Sequence, residues 1–204
     1  GMQADAHIEA MLCVHGESLD RLIVVNRSKG RAEALCAKHR GAFAAGARVV
    51  LLSDAKKIEA AVRASDLICT TTNSSAPMFD GAWMKPGTHV NAVGSYTPTA
   101  QELDRDTVAR CAIVIDSEHA LAAGDLAIPT ANGEELCVVG ELGQVLKSVA
   151  EGGEFVGNSS EIVPPPRCDC TLFKSVGVAV QDVATAQAVI EAARKRGIGR
   201  QCAM

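Results

Sequence analysis

Leu22-Ile23-Val24-Val25-Asn26-Arg27-Ser28 is a short apolar run that stops in a polar turn. Upstream, Gly1-Met2-Gln3-Ala4 opens directly into a helical pattern, with Ala4, His7, Ile8, Met11 and Leu12 on one stripe over residues 3–15. Gly16 closes that helix. Downstream, residues 29–39 are rich in Ala, Glu, Leu and Lys, which favour helix. A strand therefore lies between two helices at residues 21–25.

The same alternation continues. Residues 48–52, 66–72, 89–93 and 112–115 read as further strands, and residues 102–110 and 178–196 as helices. Ser53 or Asp54 caps a helix reaching to about residue 64, because a side-chain oxygen there accepts from free first-turn amides. Residues 124–133 read as loop and 138–149 as helix. Strands that alternate with helices predict a parallel sheet covered on both faces. The fold class is thus α/β, a Rossmann-type doubly wound sheet. Residues 1–150 form that domain and 151–170 a Gly-, Ser- and Pro-rich linker. Residues 171–204 carry a long helix belonging to a second, otherwise missing domain.

Each strand ends in a polar or glycine cluster: Asn26-Arg27-Ser28, Thr70-Thr71-Thr72-Asn73, Gly94-Ser95 and Asp116-Ser117. Open α/β sheets bind ligands at those carboxyl ends. The pairing of the opening helix with the 22–28 run fits a dinucleotide-binding unit lacking its first strand and the first glycine of its phosphate turn. In such a unit the first strand is central, so an open seam is expected. The isolated chain is then either unstable or completed by a partner chain or by upstream sequence.

Arg27 is the sharpest candidate. A carboxylate at that strand end holds the ribose 2′-hydroxyl of NAD, whereas an arginine pairs with the 2′-phosphate of NADP in a charge-assisted contact. With Asn26 and Ser28 as neighbouring donors, NADP(H) is expected over NAD(H). Gly1, Met2 and Gln3 stand at a helix N-terminus suited to a pyrophosphate. Thr70, Thr71, Thr72 and Asn73 are placed to line the crevice, and Asn91, Val93 and Gly94 suit close backbone approach to a cofactor. His89 reads as a satisfied structural histidine, and Glu102 and Asp182 as groups that fix loops. Asp116 stands where it can bond the ribose or cap the segment from Glu118 onward.

Composition narrows the classes. The chain has 204 residues, 48% apolar and 22% charged, enough to bury a core. A net charge of -4 without a basic block argues against nucleic acid or an acidic membrane surface. With 3% aromatic residues, base-stacking platforms are not expected. No apolar run reaches the roughly eighteen residues of a membrane helix, and no export leader is apparent. Most of the eight cysteines are scattered among apolar residues, as in a reduced cytoplasmic protein. Cys168-Asp169-Cys170 lacks zinc-ribbon spacing, so no metal site is expected.

Several stretches resemble the ornithine cyclodeaminase/mu-crystallin family. They include Gly1-Met2-Gln3-Ala4 with His7, Asn26-Arg27, residues 70–77, Lys85-Pro86-Gly87-Thr88-His89-Val90-Asn91-Ala92-Val93-Gly94, Gln101-Glu102-Leu103-Asp104 and Asp116-Ser117. Gly124-Asp125, Glu141-Leu142-Gly143 and Phe173-Lys174-Ser175-Val176-Gly177 up to Asp182 continue the series in the family's order. The resemblance implies a Rossmann domain plus a second domain that binds substrate and makes a homodimer contact. It implies hydride transfer, served by a nicotinamide cofactor, at a carbon bearing nitrogen in a small amino acid or cyclic imine. It also places Ser175 and Gly177 near the nicotinamide. In relatives a lysine and an arginine of the N-terminal segment handle the substrate carboxylate; that segment is not in this sequence, so no catalytic residue is assigned. Cyclodeaminases carry an acidic residue where this chain has Ser95, which leans the reading toward a ketimine reductase or amino-acid dehydrogenase. The alternative is a non-catalytic small-molecule or NADP-binding protein. A hydrolase is disfavoured, because no G-x-S-x-G elbow occurs.

Overall fold

The computed structural model describes residues 1–150 and 168–200. Residues 151–167 of the predicted linker and the last four residues lie outside them, and the linker's expected end is corrected, because Cys170 already belongs to a strand that pairs on both sides. The chain runs α1 (Met2–His15), β1 (Leu22–Asn26), α2 (Lys29–His39), β2 (Ala47–Leu51), α3 (Ala55–Ala64), β3 (Leu67–Thr70) and β4 (His89–Ala92). It continues through α4 (Arg105–Ala109), β5 (Cys111–Ile115), α5 (Gly124–Ala131), β6 (Val138–Glu141), α6 (Leu142–Ala150), β7 (Cys170–Lys174) and α7 (Ala179–Arg196). All described ladders between strands are parallel, and they form two sheets: β1-β2, and a five-stranded sheet in the order β3-β4-β7-β5-β6.

Local chemistry explains several elements. The Asp54 carboxylate accepts from the Lys57 amide and starts α3, which buries Ile58, Ala61 and Val62. Asp104 caps α4 in the same way through the Thr107 amide. The core joins Val90 of β4, Ile113 of β5 and Leu172 of β7 to Leu103, Val108 and Leu126.

Three readings from sequence are corrected. Residues 124–131 form helix α5, although they begin with glycine and carry Pro129 inside the helix, both poor formers. Tertiary bonds hold α5 in place: Asp125 accepts from the Glu102 and Leu103 amides. Residues 138–141 are strand β6, not the start of a helix, because pairing with β5 wins over local preference. The helix expected over 102–110 is confined to Arg105–Ala109.

β1 and β3 are not joined by a ladder. Between them lies a cavity of about 870 Å3, lined by Leu22 to Val25, Leu67 to Thr70 and apolar residues of α1 and α3, including Ile8, Met11 and Ile58. In a parallel strand, alternate residues bond to each side. The Leu22 amide and the Asn26 carbonyl bond toward β2, so the amides of Ile23 and Val25 face the cavity. The Asp66 and Thr70 carbonyls bond toward β4, so those of Leu67 and Cys69 face it from the other side.

α7 has no buried residue and leaves Val180, Val183, Val189 and Ile190 exposed. Among the described residues, no helix is long and apolar enough to cross a membrane.

Candidate functional site

A cavity of about 610 Å3 opens beyond the carboxyl ends of β1, β3 and β4. It brings together eight residues singled out from sequence: Gln3, Asn26, Arg27, Thr71, Thr72, Asn73, Val93 and Gly94. It also contains Arg31, Ser74, Ser75 and Tyr96, which the sequence did not single out. Asn26 steadies the turn through its side-chain amide, which donates to the Ser28 carbonyl. A Cβ on Gly94 would overlap the Thr72 backbone and the Glu102 carboxyl group. Only glycine lets the two strand-end loops meet there.

The remaining predicted residues lie elsewhere. Gly1 caps α1 and Met2 is its first helical residue. Ser28 is the N-cap of α2, with no side-chain capping bond. Thr70 lines the β1–β3 cavity, its hydroxyl buried and without a partner. Asn91 is buried in β4, where its amide donates to Cys69 Sγ. His89 meets Asn91 Oδ1 at 3.3 Å and Thr171 Oγ1 at 2.7 Å, which fits a structural histidine. Burial pushes its imidazole below the ordinary value, so the neutral form is favoured. Burial also pushes the Cys69 and Cys170 thiols up, away from thiolate reactivity.

Ser175 and Gly177 are organised by Asp116. Its Oδ2 accepts from Ser175 Oγ at 2.9 Å, the Val176 amide at 2.8 Å and the Gly177 amide at 2.7 Å. Asp116 therefore shapes the turn between β7 and α7, where Gly177 has a φ of +84°. Of the two roles open to Asp116, capping the segment from Glu118 is not met, because the Glu118 amide donates to the Glu141 carboxylate.

Beneath the crevice is a network of buried charges. Glu102, fully buried, accepts from the Thr72 amide at 2.5 Å and the Gly94 amide at 2.8 Å. One carboxylate thus clamps the ends of β3 and β4 together, as its reading as a loop-fixing group anticipates. Asp125 accepts from the Glu102 and Leu103 amides through one oxygen and from Lys174 Nζ, at 3.1 Å, through the other. Lys174 also donates to the Ser95 carbonyl at 2.5 Å. Both members of this ion pair are fully buried. Sequence reasoning missed the pair; the only signal was that Asp125 and Lys174 stand in stretches carrying the family resemblance.

The clamp makes a prediction. A carboxylate offers only acceptors, so glutamine must turn a donor NH2 toward one of the two amides. Glu102→Gln is expected to cost about 1–3 kcal/mol of stability. Urea unfolding measures this; an unchanged midpoint would show that the clamp does not hold the loops.

This parallel sheet, with a polar, glycine-lined crevice at its carboxyl ends, defines a Rossmann-type α/β protein. The chain belongs to the ornithine cyclodeaminase/mu-crystallin family, whose sequence profile matches residues 1–197. It is 34% identical to a Delta(1)-pyrroline-2-carboxylate reductase of Bacillus cereus, over 98% of this chain and 58% of that protein. Its fold is similar to that of Thermococcus litoralis Delta(1)-pyrroline-2-carboxylate reductase in complex with NADH and L-proline. The TM-score is 0.79 at 27% identity, over 99% of this chain and 58% of the other. An archaeal alanine dehydrogenase dimer with bound NAD gives a TM-score of 0.78 at 28% identity, over 100% and 58%. The chain therefore spans somewhat over half the length of these relatives.

Proposed function

We propose that this chain is the cofactor-binding part of an NADP(H)-dependent oxidoreductase acting on a small cyclic imine or amino acid, most nearly a ketimine reductase. The observation that carries the cofactor preference is Arg27, which lines the crevice at the end of β1 where an NAD-specific site places a carboxylate. Thr72 and Gly94, packed against each other at the strand ends, both line the crevice in which a ligand would lie. A bound dinucleotide would supply hydride-transfer chemistry at a carbon bearing nitrogen. The protein's part is to hold the ligand. Arg27 would hold the 2′-phosphate of the adenosine ribose, Glu102 fixes the Thr72–Gly94 floor, and Asp116 sets the Ser175–Gly177 turn, which would hold the nicotinamide side.

Family likeness supports this chemistry, since the relatives include reductases and a dehydrogenase. The exposed apolar residues of α7 support a role for that helix in a second domain and a homodimer contact. Cys13, Cys36, Cys69, Cys111, Cys137 and Cys170 are free thiols, which fits a reducing, cytoplasmic setting.

Fluorescence titration with NADPH and NADH tests the proposal. NADPH is expected to bind at least about tenfold more tightly, and Arg27→Ala to remove most of that preference. Equal binding of the two would overturn the preference. Binding of NADPH without turnover of Delta(1)-pyrroline-2-carboxylate would favour a non-catalytic binding protein.

A further inference from the structure

α2 begins with charge of the wrong sign. A helix N-terminus carries positive partial charge, so acidic residues belong in its first turn and basic ones in its last. α2 has no acidic residue in its first turn, while Lys29 and Arg31 stand there and Arg27 lies just ahead of the Ser28 cap. Lys29 finds a counter-ion in Glu33 at 3.7 Å. Neither Arg27 nor Arg31 makes an ion pair or side-chain hydrogen bond among the described residues.

Side chains on a helix lean toward its N-terminus, the direction that leads from Arg31 to Arg27. Both residues line the 610 Å3 cavity, alongside Asn26. Violations of local rules without compensation concentrate at functional sites.

We propose that Arg31 is a specificity-determining residue, forming with Arg27 a two-arginine clamp on the 2′-phosphate of the adenosine ribose. The proposal rests on the reading of the crevice as a dinucleotide site. A phosphomonoester carries nearly two negative charges at neutral pH and accepts several hydrogen bonds. Two planar forks satisfy it better than one. NAD(H), with a hydroxyl at that position, gains nothing from the second arginine.

The experiment compares NADPH, NADH, 2′-AMP and 5′-AMP as titrants of the wild type, Arg27→Ala, Arg31→Ala and Arg31→Lys. Arg31 is exposed, and alanine is the better helix former, so folding is not at risk. Arg31→Ala is expected to weaken NADPH and 2′-AMP binding by roughly 5- to 20-fold, to leave NADH and 5′-AMP within about twofold, and to reduce the salt dependence of NADPH binding. Arg31→Lys should recover part of the loss. Unchanged NADPH affinity, or an equal loss for NADH and NADPH, would overturn the clamp. If the wild type prefers NADPH and Arg31→Ala has no effect, only the clamp fails. If the wild type binds the two dinucleotides alike, the Arg27 reading fails and the clamp falls with it.

Discussion

Lys174→Met is expected to cost about 3–5 kcal/mol of folding stability, which would leave a marginal domain largely unfolded. The lysine is fully buried, and its ammonium group meets Asp125 at 3.1 Å and the Ser95 carbonyl at 2.5 Å. Methionine fills similar volume but leaves a buried carboxylate oxygen without its cation. The paired variant Lys174→Met/Asp125→Asn should recover at least half of the loss. An asparagine oxygen still accepts from the Glu102 and Leu103 amides, and neither member of the pair is left as an uncompensated charge. Urea unfolding of the single and double variants measures both effects. A loss below about 1 kcal/mol for Lys174→Met would mean that the pair barely breaks even against its own desolvation.

An apolar extended segment supplied to the cavity between β1 and β3 is expected to raise the unfolding midpoint by roughly 5–10 °C. The cavity, about 870 Å3, is faced by two parallel strands with amides free on its side, and by apolar faces of α1 and α3. Unpaired backbone groups beside apolar surface are costly, and a further parallel strand would satisfy both. A Val- and Ile-rich peptide of about six residues, the usual strand length, with terminal lysines for solubility, is the probe. Amide hydrogen exchange should show Ile23, Val25, Leu67 and Cys69 exchanging fast in the chain alone and slowing when the peptide is present. An unmoved midpoint together with unaltered exchange would refute strand addition at this seam.

Much of the site was legible in the sequence because its signals are local. A run that ends in Asn26-Arg27-Ser28 declares both a strand and its polar turn within a few residues. The hydroxyl cluster after β3 and the glycine after β4 do the same, and the cavity collects Thr71, Thr72 and Gly94 as expected. Thr70 and Asn91 were harder to place. A strand's last residues can face the crevice, a neighbouring strand or the seam, and pairing decides which. Arg31 escaped because it sits inside a helix, where its direction depends on the exact N-cap.

The sequence by itself determined the α/β class, the parallel sheet, the crevice at its carboxyl ends and the cation at the end of β1. Repeating strand-to-helix periodicity and short turns carry that information with few long-range contacts. Only the tertiary structure decided that Cys170–Lys174, the last strand in sequence, enters the sheet between β4 and β5. It also decided that α5 forms around Gly124 and Pro129, and that Lys174 turns inward to Asp125. Those outcomes rest on partners some 50 to 80 residues away, Asp125 for Lys174 and the Ala92 and Ser95 carbonyls beside it. A lysine in a short strand has the local pattern of a surface residue. Burial becomes favourable only where a carboxylate and free carbonyls have already been gathered by the fold.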